Sequence, residues 1–385
     1  MSTGPQITPQ RILVVKLADL GDALATTPAL GALRQGLPAA TIHLLTTPAG
    51  EQALRTLSLY DDLIIFPKHR FDSPPALLKP ANLLAGLLLW QRLAYGHYDT
   101  VLLLHHLTTG FGTLKYRLLA RATGAQHILG LDNGRGNFLT AAVPDLGFGR
   151  KHESDYWLAV VGLLQIATAA MPLLGPPPVG AVLPAHAERY QVALHPGSGT
   201  FAPARRWPVA RWAALADRLL ADSIAVVLVG GPEEAELRRT FLSLLHQPQA
   251  LRDWGGRTTF AELGGLLRQC DLFLGNDSGI LHLAAAVGTP VVAPYGPTDP
   301  HAWGPWSEQP WTTVATKPNG VVVLQAGPHI TLRATIACSP CIYRGYTLGT
   351  PAGCPDRTCL ERITVAQMYE VVHARLSQVA GSVCA

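Results

Sequence analysis

Residues 275–300, GNDSGILHLAAAVGTPVVAPYGPTDP, restrict the fold more than any other stretch of this chain. A short, mostly apolar run at 271–274 ends in Asn276-Asp277-Ser278-Gly279, and Ile280-Leu281-His282-Leu283-Ala284-Ala285-Ala286 follows as a good helix former. Gly288-Thr289-Pro290 breaks that helix, and 291–294 reads as a second strand. Strand, polar turn, helix, strand is the repeating unit of a parallel sheet with helices on its faces. In such sheets ligands gather at the carboxyl ends of strands. The N–H groups at a helix start are a ready anion site. The stretch therefore predicts a wall that faces a phosphate.

The same rhythm opens the chain. A buried strand is predicted over 11–15, then a loop Lys16-Leu17-Ala18-Asp19-Leu20-Gly21-Asp22, then a helix over 23–35. Gly21 permits a tight turn. Asp22 has two readings: a helix cap, or a carboxylate at a strand's carboxyl end, facing a cleft and free to take a proton. Thr26 and Thr27 follow within a turn and can line the same cleft. The loop lacks G-x-G-x-x-G, so the dinucleotide fingerprint is absent. Further strands are predicted at 41–46, 62–66, 100–104 and 126–131, with His105 and His106 just past the fourth. That pair can bind acceptor hydroxyls or satisfy backbone groups. Between strands three and four lie Lys68, His69 and Arg70, an apolar helix around 83–93, Arg92 and Tyr95. This basic, aromatic and apolar mixture suits a membrane surface or a lipid-linked acceptor. The plainer alternative is a helix packed on the sheet.

Residues 171–185, MPLLGPPPVGAVLPA, resist helix and strand alike and mark a domain boundary. With 385 residues, 48% apolar and 15% charged, the chain has material for two or three domains with large cores, and disorder is excluded. The formal charge, 30 − 26 = +4, is too small to imply nucleic-acid binding. The first ten residues show no secretory pattern. The longest apolar run, 76–90, is broken by Lys79-Pro80 and Asn82 and is too short to span a bilayer. A cytoplasmic protein is expected.

After the boundary a strand at 191–194 leads into His195-Pro196-Gly197-Ser198-Gly199-Thr200, a glycine-rich turn whose N–H groups can approach an anion. Arg205-Arg206-Trp207-Pro208 follows, and guanidinium forks pair with phosphate oxygens. A strand at 225–229 ends in Gly230-Gly231-Pro232-Glu233-Glu234. A carboxylate there can accept from ribose hydroxyls or complement a helix dipole. Four of the six cysteines form Cys338-x2-Cys341-x12-Cys354-x4-Cys359, a spacing that partly fits structural zinc and equally fits reduced thiols in a loop-rich segment.

Together, Val15-Lys16-Leu17-Ala18-Asp19-Leu20-Gly21-Asp22 with Thr27-Pro28, His195-Pro196-Gly197-Ser198 with Arg206-Trp207-Pro208, and Asn276-Asp277-Ser278-Gly279-x-x-His282-Leu283-Ala284 with Tyr295-Gly296-Pro297-Thr298-Asp299-Pro300 resemble the bacterial heptosyltransferases of glycosyltransferase family 9. The resemblance runs from about residue 11 to 375. It implies an α/β protein of the GT-B fold: two Rossmann-like, doubly wound domains facing across a cleft. Residues 1–175 would hold the acceptor and 186–360 the nucleotide-sugar, with 361–385 forming a helix that packs back on the first domain. The implied donor is ADP-heptose, a co-substrate rather than a cofactor. The implied acceptor is a lipid-linked glycan of the lipopolysaccharide core, reached by peripheral contact with the cytoplasmic face of the inner membrane.

Carried over by motif, Asp22 is the general base, with Gly21, Thr26, Thr27 and His105 on the acceptor side. Gly197, Ser198, Thr200, Arg206, Glu234, Asp277, Ser278, Gly279 and His282 form the donor side, and Arg205 stabilises the departing diphosphate. Arg205 stands where these enzymes often carry lysine. Transfer is expected to invert the anomeric centre without a metal, since the chain has no Asp-x-Asp pair. The competing readings are a transferase or epimerase using another nucleotide-sugar, and a catalytically silent sugar-nucleotide-binding protein. The presence of Asp22, Arg205 and Asp277 counts against the last.

Overall fold

The structure is a computed structural model; it describes residues 8–166, 172–177, 180, 183 and 187–383. Seven of the fifteen residues of the Pro/Gly-rich segment 171–185 lie outside the described residues. The chain divides into two units, residues 1–172 and 173–385.

In the first unit β1 (Arg11–Lys16), β2 (Thr41–Thr46), β3 (Asp62–Ile65), β4 (Thr100–Leu103), β5 (His127–Asp132) and β6 (Ala141–Pro144) lie in the order β3-β2-β1-β4-β5-β6, all parallel. Ile12 sits in register with Ile42 on one side and Thr100 on the other. The middles of both central strands are continuously apolar, because helices cover both faces of a parallel sheet; Ile12, Leu13, Val14, Val15, Val101 and Leu102 are fully buried. The chain fills one side of β1 and then returns to fill the other. That reversal opens a crevice at the carboxyl ends of β1 and β4.

The single helix predicted over 23–35 is two helices, Leu20–Leu24 and Thr27–Gly36. Pro28 is the reason. It has no N–H to continue a ladder, but it fits the first turn of a new helix.

The second unit repeats the plan. Its strands are β7 (Gln191–His195), β8 (Ala225–Leu228), β9 (Arg252–Asp253), β10 (Leu272–Gly275), β11 (Val291–Tyr295), β12 (Thr312–Thr316), β13 (Val321–Ala326) and β14 (His329–Ala334). A separate hairpin joins β15 (Ile342–Arg344) to β16 (Thr347–Gly349). The sheet order is β12-β13-β14-β11-β10-β7-β8-β9, so the order in which the chain lays down its six parallel strands reverses between β7 and β10, as it does between β1 and β4. β12 and β13 extend one edge antiparallel. The outermost strand, TTVAT, is exposed throughout, and its threonines keep that edge polar.

In the last helix, Val365–Val383, the described apolar side chains Met368, Val371, Val372 and Leu376 join the second unit's core beside Trp207, Trp212 and Phe241. Spacing of three and four residues puts them on one stripe. Tyr369 and His373 on the neighbouring flank both bond to Asp222 Oδ2, at 2.5 and 3.0 Å, which fastens the helix to the end of Val209–Ala221. No helix among the described residues is long and apolar enough to cross a membrane.

Met368→Ala is expected to cost about 2–5 kcal/mol in the second unit, as deletion of a buried methionine side chain does. Urea unfolding measures this. A loss below about 1 kcal/mol would remove the helix from that core.

Candidate functional site

Each unit gathers polar side chains where its strand order reverses. In the first unit, three consecutive carbonyls at the end of β1 each accept a hydrogen bond from a side chain. Thr46 Oγ1 donates to Lys16 O at 2.9 Å, Lys68 Nζ to Leu17 O at 2.7 Å, and Thr47 Oγ1 to Ala18 O at 2.5 Å. The loop that leads to Asp22 is thereby fixed. Asp22 lies half-buried in the first turn of Leu20–Leu24, while Asp19 takes the N-cap position without a side-chain capping bond. The capping reading of Asp22 is therefore replaced: it is a first-turn carboxylate beside Gly21.

Lys16 is buried, with Nζ 3.9 Å from the Trp157 ring centroid. Burial lowers its pKa, while the carboxylates of Asp22 and Glu153 work in the opposite direction. His105, after β4, is half-buried and lies against Tyr116 with ring centroids 4.6 Å apart. Burial, reinforced by Lys16 and Lys68, holds its pKa well below the usual value and keeps the imidazole neutral. His106 is its opposite. Burial disfavours the charge, but Asp145 at 2.9 Å and Glu153 at 3.2 Å outweigh it and raise the pKa to about 9. His106 is a structural cation, ringed by Phe148, Tyr156 and Trp157.

Thr26 and Thr27 are fully buried in the bend between the two helices, and their hydroxyls donate to Ala23 O at 2.6 Å and Leu24 O at 2.8 Å, which shapes that bend.

In the second unit the turn after β7 is held by Glu234. Its Oε2 lies 2.7 Å from His195 Nε2, and its Oε1 accepts from Gly199 N at 2.8 Å. Glycine is required at two positions here. A Cβ on Gly197 would lie 2.0 Å from Glu234 Oε1, and Gly199 has φ +69°. Burial alone would raise the Glu234 pKa, but His195 and the Gly199 N–H bring it down to about 2. Glu234 thus braces the turn.

Arg206 is likewise turned inward. Its Nε donates to Ser198 Oγ at 3.2 Å and its Nη2 to Gly199 O at 2.6 Å. Ser198 donates to Ala202 O at 3.0 Å, and Thr200 is exposed at the tip. Asn276, part of the motif but given no role by the sequence alone, ties the loops together. Its Oδ1 accepts from Trp207 N at 2.8 Å, and its Nδ2 donates to Pro196 O at 2.8 Å and Gly197 O at 3.0 Å.

Ser278 caps the helix Gly279–Ala286, accepting from Leu281 N at 3.3 Å, and His282 is buried in that helix. Asp277 accepts from Thr298 Oγ1 at 2.7 Å, which draws in the loop after β11. Arg205 Nε stands 3.5 Å from Asp277 Oδ2, and the guanidinium lies 5.5 Å from the Tyr343 ring centroid. Trp303 stacks on the same ring at 4.4 Å. No sequence signal marked Tyr343 or Trp303 as neighbours of Arg205, because the contact joins distant loops. A hollow beside the turn is lined by Pro196, Gly197, Val229, Gly231, Leu237 and Arg238.

The cysteines of the segment sit near one another: burial comes first in pushing the Cys359 thiol up to about 11, and Cys341, Cys354 and Cys338 add to it, while burial and then Cys354 and Cys338 raise Cys341. Cys338 and Cys354 are exposed, and Cys359 is buried. Among the described residues no three His, Cys, Asp or Glu side chains are grouped to hold a metal ion.

Two Rossmann-like units with such loops at their switch points are the frame of a GT-B glycosyltransferase. The profile of glycosyltransferase family 9 (heptosyltransferase) matches residues 87–320, and the chain belongs to that family. Lipooligosaccharide heptosyltransferase 2 of Haemophilus influenzae is 36% identical over 126 residues, which is 32% of this chain and 36% of that protein. The match thus spans about a third of the relative's length. The solved ADP-heptose lipopolysaccharide heptosyltransferase II of Escherichia coli covers 96% of this chain, and 99% of that chain is covered, with TM-score 0.66 and 22% identity. A family 9 structure from Veillonella parvula covers 98%, with all of that chain covered, at TM-score 0.70 and 21% identity. The two solved structures share the fold.

The Glu234 carboxylate generates a pH signature. Its folded pKa is depressed, so its contribution to stability is present above the ordinary glutamate range and is lost as pH falls from about 4.5 towards about 2. Glu234→Gln is expected to flatten that part of the acid-unfolding curve. An unchanged acid limb in the variant would show that the carboxylate does not carry the brace.

Proposed function

We propose that this protein is an inverting heptosyltransferase that moves a heptose from ADP-heptose to a glycan of the lipopolysaccharide core. The observation that carries the reading is the family match, together with the position of Asp22 at the switch point of its sheet and of the glycine turn, Arg205 and Ser278 at the switch point of the other.

On this reading the second unit binds the donor. The N–H groups of the Pro196–Thr200 turn and of the helix start at Ser278 and Gly279 receive the diphosphate. Asp277, held by Thr298 and Arg205, orients that loop and meets sugar hydroxyls. Asp22 on the first unit accepts the proton of the attacking hydroxyl. The acceptor oxygen bonds to the anomeric carbon as the bond from that carbon to the diphosphate oxygen breaks. The electron pair leaves with ADP, and the centre inverts. Arg205 and the loop N–H groups stabilise the charge that grows on the leaving group, which lets the reaction run without a metal. His105, neutral and beside Lys16, is suited to hydrogen-bond an acceptor hydroxyl. The work is placed on the cytoplasmic side of the inner membrane, where a lipid-linked acceptor is presented.

Asp22→Ala is expected to lower turnover about 10²–10⁴-fold, the usual share of general-base catalysis, with ADP-heptose binding unchanged by calorimetry. ADP release with a truncated lipopolysaccharide acceptor reads the first quantity. UDP-GlcNAc and GDP-mannose, tried in parallel, test the choice of donor. Near-normal turnover in the variant would sink the base assignment, and release from another donor alone would sink the heptose assignment.

A further inference from the structure

We infer that the outward face of the helix Pro80–Ala94, continued by the neighbouring helix Gly110–Thr123, docks this protein on an anionic lipid surface. A helix on the outside of a globular unit ordinarily buries one apolar stripe and shows a polar one to water. This helix is apolar on both sides. Leu93 is fully buried, and Leu89 and Ala85 pack on the same core. On the opposite face Leu83, Leu84, Leu87 and Leu88 are each between 54% and 58% exposed. At 100° per residue they form one continuous band, bordered by Trp90 and Tyr95. Leu78, just before the helix, is 76% exposed.

The second helix extends the band. Its inner residues Tyr116, Ala122 and Leu119 join the core that holds Leu93, while Leu114 and Leu118 stand exposed. Six exposed leucines on two adjoining helices mark an interaction site.

Charge selects the occupant. Neither helix contains an acidic residue. Residues 68–123 carry seven Lys and Arg against two Asp, an excess larger than the +4 of the whole chain. The two acids are occupied, Asp72 by Lys115 at 3.1 Å and Asp99 by the N–H groups of Gln10 and Arg11. A leucine band with indole and phenol at its border and cations around it matches an interface of acyl chains, headgroups and anionic lipid. A second copy of this chain fits less well, since a two-fold interface would set the cationic surround against itself.

The band is also prebuilt. Asn82, buried under the helix, donates to Arg70 O at 2.9 Å and Ala76 O at 2.8 Å, and Lys115 Nζ reaches Phe71 O at 3.2 Å. These bonds fasten the segment that precedes the helix. At about 22 Å the helix is too short to span the hydrocarbon core, so it lies in the surface plane.

The inference is independent of the glycosyl-transfer reading and can fail without it. The test is flotation of the full chain with phosphatidylcholine vesicles, with and without phosphatidylglycerol. The wild type is expected to float with the anionic vesicles and not with the neutral ones. Leu84→Glu/Leu88→Glu is expected to weaken that binding at least about tenfold while leaving the melting temperature and calorimetric ADP-heptose affinity unchanged. Arg121→Glu, outside the apolar band, is expected to weaken binding less, by an amount that shrinks as salt rises. No flotation of the wild type, equal flotation of the double variant, or equal binding to neutral vesicles would overturn the proposal. So would a dimer seen by light scattering that the double variant abolishes while vesicle binding persists.

Discussion

The second unit depends on one buried amide. Asn276 has no exposed surface, and its side chain bonds at once to the turn after β7 and to the backbone of Trp207. A buried amide left without these partners would cost about 1–3 kcal/mol for each unsatisfied group, so the loops are held at a set distance. Trp207 passes the constraint on, since its indole N–H donates to Ile363 O at the entry to the last helix. Glu234 fixes the other side of the same turn through Gly199 and His195. A loop held from both sides keeps its N–H groups aimed in one direction, which is what electrostatic stabilisation of a growing charge requires.

The first unit reaches the same end by other means. Its parallel strands follow the same order, and Asn133 Nδ2 ties Leu107 O, in the loop after β4, to Asp145 Oδ2, but the loop after β1 is held otherwise. There Thr46, Lys68 and Thr47 each cap one carbonyl of the Lys16–Ala18 turn. Two of these come from the neighbouring β2 and its continuation, and the third from beyond β3. The sheet therefore positions the loop directly. The adjoining histidines show how far the local surroundings divide neighbours: His105 is kept neutral by burial and cations, and His106 is kept charged by two carboxylates.

The parallel strands were legible where a short apolar run ends in a glycine or polar turn. β1, β2, β4, β7, β10 and β11 lie within a residue or two of the sequence reading. The sheet edges were less legible. β9 is two residues long, and β12 is a threonine-rich edge with no apolar face to betray it. The location of the candidate sites was legible too, since strand-turn-helix patterns place loops at carboxyl ends whatever the rest of the fold does. The direction of individual side chains was not. Arg206, Glu234, Thr26 and Thr27 bond to the loops themselves: the threonines to carbonyls three residues back, Arg206 to the turn seven and eight residues before it, and Glu234 to Gly199 across 35 residues. The exposure of the leucine band was also hidden, because an apolar helix reads the same whether one face or both are covered.

Arg205 joins these strands of reasoning. The sequence shows arginine where lysine is common in resembling enzymes, and the structure supplies a physical reason. The guanidinium lies near the Tyr343 ring and beside the Asp277 carboxylate, with Nη2 donating to the tyrosine hydroxyl at 3.3 Å. A planar fork can face a ring, pair with a carboxylate and still offer further N–H groups to a phosphate, whereas an ammonium is a single point of charge. Asp277 next to a diphosphate would be repulsive by itself. With Arg205 beside it and Thr298 donating to it, the carboxylate is compensated before any anion arrives. On the proposed reading, Tyr343, Arg205 and Asp277 therefore form one unit, in which the ring fixes the cation and the cation permits an acid beside the phosphates.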